Sequence, residues 1–255
     1  MSGARIELQH KIHVLTKKEE LDTVRVQGKV VVVLDILFAT PTMVAALAGG
    51  AREIVPVLDE AAARACAQRI GDCVLAGELY AETLPGFAHP TPLSLLEHGV
   101  RGKTVVYSTT NGTVAMTEAA GATRVYCGAL LNASRLVEHI LARHARETVL
   151  ILCSGSGDNF NYEDFYGAGC FVEHFSKVMK NADLSDAARA ARDLYRHARL
   201  PDALLECRVG AMMVKRGLQR EVEYACRIDS QPVVAALEDG RVRLVSDSAP
   251  GGRPG

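Results

Sequence analysis

Short apolar, β-branched runs alternate along this chain with polar or glycine-bearing turns and alanine-rich amphipathic stretches. Val30–Leu34 is five aliphatic residues in a row, too short for a helix and continuous enough for a strand covered on both faces. Asp35 ends the run, and Thr40, Pro41 and Thr42 lead into a helix expected over 43–48. Thr40 would cap that helix, with Pro41 at its first position, where a missing N–H costs nothing. The same rhythm predicts strands at 53–57, 73–76, 103–107, 124–127 and 148–153. Helices are expected at 58–69, 113–119, 132–145 (capped by Asn132), 162–180 and 184–198. A loop carrying Pro85, Pro90 and Pro92 interrupts the pattern. Segments 221–228, 233–237 and 241–245 read as closing strands, the last two joined by an Asp239-Gly240 hairpin turn. Strands alternating with helices at this spacing argue for an α/β architecture.

Composition narrows the function classes. Lys plus Arg number 29 against 30 Asp plus Glu, a formal net charge of −1, which argues against the basic footprint of nucleic-acid binding. Aromatic residues are only 5% and Trp is absent, so a base- or sugar-stacking surface is not expected. No apolar stretch approaches the length of a membrane span, and the first ten residues lack the charged-then-apolar pattern of a secretory signal. Seven cysteines, an odd number without a CxxC pair, read as buried thiols of a cytoplasmic protein. Residues 249–255 read as a disordered tail.

In α/β sheets, ligands gather beyond the carboxyl ends of strands, near helix N-termini. That rule collects Asp35, Glu78, the Ser108–Thr113 turn, Asn132 and the loop from Ser154 to Asp164. A carboxylate directly after an aliphatic strand is costly to bury unless paired, hydrogen-bonded or bound to a cation. Asp35 and Glu78 both stand in that position, although each could equally cap a turn. Ser108-Thr109-Thr110-Asn111-Gly112-Thr113 offers hydroxyls, an amide and flexible backbone for an anion, or simply a helix cap. Ser154-Gly155-Ser156-Gly157 is a second backbone cradle, but it matches neither GxGxxG nor a P-loop. Glu163 and Asp164 favour the dipole of the next helix, or could complete a hard-cation site with Asp35 and Glu78. His89, between prolines, reads first as an exposed loop residue. Arg189, Arg192 and Arg196 read as a solvated helix face.

Taken in order, these segments resemble the Mg-dependent 2-phosphosulfolactate phosphatase family. The matching stretches run from Val31 through Asp35 and Thr40 to Thr42, then Ala76-Gly77-Glu78 and Gly86-Phe87. They continue through Ser108 to Thr113, Gly128 to Ala133, and Cys153 to Gly157 with Glu163-Asp164 and Ala168-Gly169, spanning about residues 28–235. The resemblance implies an α/β fold of two interlocked, similar α/β/α subdomains with the site between them. We place these at about 1–120 and 121–248 of a single unit. It also implies a bound Mg²⁺ and hydrolysis of phosphate esters of 2-hydroxy acids. Three departures stand out: Phe38 and Leu79 where the family has arginines, and Pro90-Thr91-Pro92, with His89 alongside, where it has Asn-Ser-Pro.

The reading is therefore a Mg²⁺-dependent phosphatase for a small, less anionic phosphomonoester. Asp35, Glu78, Asn111, Glu163 and Asp164 are its candidate catalytic residues, with Asp35, Glu78 and Asp164 as metal ligands; whether Asp35 is nucleophile or ligand stays open. Substrate binding falls to Phe38, Thr40, Thr42, Leu79, His89, Thr109, Thr110, Gly112, Thr113, Asn132 and the Ser154, Gly155, Ser156 and Gly157 loop. The implied partner is a small phosphate ester, with a homodimer as an open arrangement and neither nucleic acid nor membrane involved. A changed reaction on the same site (lyase or isomerase) and a catalytically silent small-molecule-binding or partner protein are the alternatives.

Overall fold

The computed structural model describes residues 11–179 and 181–246; the N-terminal ten residues and the tail at 249–255 lie outside them. The first part of the chain forms β1 (Lys11–Leu15), β2 (Val30–Leu34), α1 (Ala39–Ala48), β3 (Glu53–Val57), α2 (Glu60–Ile70), β4 (Cys73–Leu79) and β5 (Glu82–Thr83). Next come α3 (Pro92–His98), β6 (Thr104–Ser108), α4 (Gly112–Glu118), β7 (Arg124–Gly128), α5 (Ala133–Arg143) and β8 (Val149–Cys153). The remainder is α6 (Tyr162–Val178), β9 (Asp183–Leu184), α7 (Asp186–His197), α8 (Asp202–Glu206), α9 (Arg208–Lys215), α10 (Gln219–Ala225), β10 (Ala235–Glu238) and β11 (Arg241–Leu244).

The strands make one sheet in the order β5-β4-β6-β3-β11-β10-β7-β2-β8-β1-β9. Two parallel stretches, β4-β6-β3 and β7-β2-β8-β1-β9, flank the antiparallel β10–β11 hairpin. The hairpin pairs antiparallel to β7 on one side and to β3 on the other. Strands β1 and β2 belong to the first part of the chain yet pair with β7 and β8 of the second. Helices cover both faces, which gives an α/β/α layering. Strand β2 shows why its sequence is unbroken: Val30, Val32 and Leu34 belong to the core on the α6 side of the sheet, while Val31 and Val33 belong to the core on the α4 side. Burial on both faces leaves no polar position in the alternation.

Several local expectations needed correction. Segment 221–228 holds helix α10 rather than a strand. Val222 and Tyr224 alternate with two glutamates, which mimics a period of two, but Glu221 is itself buried. Its carboxylate accepts the Leu93 and Ser94 N–H groups (2.8 and 2.9 Å) and the Thr91 hydroxyl (2.8 Å). It thereby caps α3, a helix that the proline-marked loop concealed, from outside that helix. Helix α1 starts at Ala39, so Thr40 lies inside its first turn. Asn132 does not cap α5. Its amide folds back to accept the Ala129 N–H (2.9 Å) and to donate to the Cys127 and Val233 carbonyls (3.2 and 3.1 Å).

Candidate active site

Strand β6 stands five places from β2 in the sheet. A flat sheet would hold their ends roughly 24 Å apart, and the four steps from Ser108 to Gly112 reach at most about 14 Å. Yet a Cβ placed on Gly112 would lie 2.6 Å from Asp35 Oδ2 and 2.5 Å from the Ala39 Cβ. The sheet is therefore strongly coiled, and the coiling brings the carboxyl ends of β4 and β6 onto those of β2 and β8. Only glycine admits this approach of α4 to α1.

Asp35 follows β2 and is 8% exposed. Its Oδ1 accepts the Phe38 N–H (3.0 Å), and its backbone N–H bonds the Thr40 hydroxyl (3.0 Å). Burial, then the charges of Glu78 and Glu163, push its pKa up to about 7, against the opposing pull of the Phe38 and Ala39 N–H groups. Among the described residues, no cationic side chain forms an ion pair with it.

Glu78 is the penultimate residue of β4 and holds two loops. Its Oε1 accepts the Thr110 N–H (2.7 Å) and hydroxyl (3.0 Å), and its Oε2 accepts the Ala81 N–H (2.6 Å). The Ala81 bond fixes the tight turn between β4 and β5, where Tyr80 and Ala81 both have positive φ (51° and 63°). Asn or Gly usually fills such positions, so the strained turn depends on its carboxylate anchor. Asp164, on α6 and 1% exposed, accepts the Ile36 N–H at Oδ1 (2.8 Å) and the Gly155 N–H at Oδ2 (3.0 Å). It ties the loop after β2 to the loop after β8. Burial, then the neighbouring Asp35 and Glu163 charges, raises its pKa well above the ordinary carboxylate range. Burial likewise raises Glu163.

Asn111 meets a cation that the sequence reading missed. Buried Lys18 directs its ammonium to Asn111 Oδ1 and to the Ser154 carbonyl, both at 3.4 Å, and pairs with Glu19 at 2.8 Å. Lysine can only donate, so the amide oxygen faces Lys18, and among the described residues the NH₂ makes no hydrogen bond. The Ser154 hydroxyl is buried without a hydrogen-bond partner among the described residues.

A cavity of about 530 Å³ opens over these groups. Of the expected site residues it is lined by Asp35, Phe38, Glu78, Thr110, Asn111, Ser156 and Gly157, joined by Leu37, Tyr80, Ala81, Asn161, Arg208, Val209 and Met212. The others lie elsewhere. Leu79 is 52% exposed on the β4–β5 hairpin. Thr42 donates to the Phe38 and Pro90 carbonyls (2.7 and 3.0 Å), Thr109 and Thr113 bond each other's backbone, and Asn132 serves the end of β7. His89 is half-buried against the Thr91 hydroxyl (2.9 Å), not exposed. Thr40, Gly112, Ser154, Gly155, Glu163 and Asp164 do not line the cavity. Arg189 and Arg196 are exposed as the solvated face requires, Arg196 bonding Glu173 (2.8 Å), whereas Arg192 is partly buried and bonds Ser176 (3.3 Å). Lys18 sits in a Lys-Lys-Glu-Glu run that reads as solvated surface, and Arg208 in a stretch with no legible periodicity. No signal in the sequence set either apart.

Among the described residues, no group of three or more His, Cys, Asp or Glu side chains is assembled to hold a metal ion. The expected set of Asp35, Glu78 and Asp164 is therefore not a preformed cage, and both Asp164 oxygens already serve backbone N–H groups. The arrangement fits a different kind of cation site. Mg²⁺ commonly takes one or two carboxylates, with waters and substrate oxygens completing its shell. Asp35 and Glu78 are two carboxylates lining one cavity, and among the described residues no cationic side chain forms an ion pair with Asp35.

Fold and cleft together define an α/β protein with a carboxylate-bearing cavity at the carboxyl ends of a mostly parallel sheet. The family model for 2-phosphosulpholactate phosphatase matches residues 15–240, and the chain belongs to that family. It is 36% identical over 223 residues to a protein of Symbiobacterium thermophilum, covering 86% of this chain and 95% of the relative. A Carboxydothermus hydrogenoformans protein is 33% identical over 239 residues (92% and 98% covered), and one from Deinococcus radiodurans 34% over 214 (83% and 88%). Each bears the name probable 2-phosphosulfolactate phosphatase. Among the described residues, no helix is long and apolar enough to cross a membrane.

Proposed function

We propose that the protein is a Mg²⁺-dependent phosphatase acting on a small phosphomonoester less anionic than phosphosulfolactate. The observation that carries this reading is Asp35, a buried carboxylate without an ion-pair partner among the described residues, raised to about 7 inside a cavity it shares with Glu78. Asp35 and Glu78 would hold the Mg²⁺, which when bound neutralises charge on the phosphoryl oxygens. The remaining work belongs to the chain itself. The Asn111 NH₂, held outward by Lys18, donates to the phosphoryl group, and the Thr110 loop beside it is fixed by Glu78. Asp164 holds the loops after β2 and β8 so that their backbone is positioned before substrate arrives. Phe38 lines the cavity where a guanidinium would favour a second anion, which supports the altered substrate; exposed Leu79 adds nothing to that argument.

The test is phosphate release from a panel of small phosphomonoesters, with Mg²⁺ and after exhaustive chelation. Turnover restored by Mg²⁺ is the expected result. Full activity after chelation overturns the metal assignment. Consumption of substrate without phosphate release would point to a lyase or isomerase, and binding without turnover to a silent member of the family.

A further inference from the structure

The cavity is polarised. Asp35 and Glu78 are its acidic lining residues, and Arg208, at the start of α9, is the one cationic lining residue among the described residues. Leu37, Phe38, Val209 and Met212 give the wall an apolar surface. Arg208 is exposed but held in place: its Nη2 donates to Ser156 Oγ (2.5 Å) and to the Oδ1 of buried Asn161 (3.0 Å). Asn161 Oδ1 also accepts the Ser156 hydroxyl (3.0 Å), closing a small network. Among the described residues, Nη1 and Nε of Arg208 make no hydrogen bond, and no carboxylate forms a salt bridge with it. A planar guanidinium fixed through Nη2 at the cavity wall keeps the N–H groups of Nη1 and Nε, and one of them can give a charge-assisted hydrogen bond to a carboxylate.

We infer that Arg208 is the specificity-determining residue for the leaving group. The substrate carries one carboxylate, bound by Arg208, and an otherwise apolar remainder against Phe38, Val209 and Met212. A second anion would meet that apolar surface and lose hydration without gaining a partner. This inference rests on the phosphatase reading and narrows it.

Three esters differing only in this respect test it on the full-length protein: isopropyl phosphate (no further anion), 2-phospholactate (one) and 2-phosphosulfolactate (two). In the parent, kcat/KM should favour 2-phospholactate over either of the others by on the order of tenfold or more, as a charge-assisted hydrogen-bonded pair provides. Arg208→Gln should bring the ratio of 2-phospholactate to isopropyl phosphate close to one, chiefly through KM, and Arg208→Lys should recover part of it. Thermal melting confirms that both variants fold. Equal or better use of 2-phosphosulfolactate, or a ratio unmoved in a folded Arg208→Gln protein, overturns the inference. If none of the three esters releases phosphate, the phosphatase reading fails, and calorimetry with lactate judges Arg208 separately. Lactate bound by the parent and lost in Arg208→Gln upholds the carboxylate site; no binding by the parent removes it.

Discussion

Asp35 sets the energetic problem of the molecule at the scale of a single residue. Its carboxyl is buried among other acids, so removing its proton costs free energy that the unfolded chain does not incur. Its folded pKa of about 7 stands above the ordinary aspartate value of 3.8, so the folded state binds more protons than the unfolded one between these values. The Asp35 contribution to stability is therefore complete below about pH 4 and is lost as pH rises through about 7. In chelator-containing buffer, Asp35→Asn should gain in melting temperature relative to the parent, with the gain widening from pH 4 to pH 7. A constant difference across that range would contradict the assignment. Because a ligating carboxylate must be deprotonated, Mg²⁺ should raise the parent's melting temperature more at pH 7 than at pH 5 and raise that of Asp35→Asn little at either. In turnover, the same variant should lose on the order of a hundredfold or more, a barrier increase of about 2.7 kcal/mol. Near-normal phosphate release would reduce Asp35 to a turn residue.

Between elements, the decisive contact is glycine against side chain where α4 meets α1. Gly112→Ala would press a methyl onto Ala39 Cβ and Asp35 Oδ2, both inside 3.0 Å. Neither α1 nor a carboxylate already held by Phe38 yields cheaply, so destabilisation of about 1–3 kcal/mol is expected, with turnover falling because Asp35 and Asn111 separate. Gly121→Ala is the control: its nearest neighbour would be Val26 Cγ1 at 3.5 Å, and urea denaturation should find it near neutral. If Gly112→Ala melts like this control, the close approach is not what positions the site. Elements of this kind were partly legible beforehand. Strand β2, strand β3 and the Asp239-Gly240 turn carry purely local signals and fell where the pattern placed them. Helix α10 did not, because its buried Glu221 caps α3 from a distance, and no local periodicity reports a partner about 130 residues away. The same reason hid Lys18 and Arg208: each is an ordinary basic residue until the fold sets it beside Asn111 or Ser156.

Across the whole molecule, the site exists because two parallel stretches of sheet are joined at a seam. Asp35, Asp164 and Ser156 come from one side, and Glu78, Thr110 and Asn111 from the other, while β10 and β11 hold the sides together. The strand-end carboxylates could be read from the sequence, but their meeting could not, since it depends on coiling over several strands. The seam is narrow where β11 meets β3, with Val242 opposite Ile54 as its registered pair. Buried Glu53 reinforces it. Its carboxylate accepts bonds from Arg241, from Arg243 Nε and Nη2 (2.9 and 2.7 Å), and from the Thr104 hydroxyl on β6 (3.2 Å). Burial alone would raise the Glu53 pKa, but the two arginines outweigh it and hold the pKa below the usual value of 4.5. Its contribution to stability is thus present above about pH 4.5 and lost as pH falls through the depressed folded value. Glu53→Gln keeps the shape and one acceptor while removing the charge. The arginine side chains are 37% and 38% exposed, so they regain water, and the expected loss at pH 7 is about 1–2 kcal/mol rather than that of a fully buried broken pair. Urea unfolding should show this difference between parent and variant at pH 7 and its shrinkage well below pH 4.5. Amide exchange along β3 and β11 should quicken in the variant more than along β2 and β8. A difference independent of pH, or exchange raised uniformly over the sheet, would show that the Glu53 cluster is not what fastens the seam.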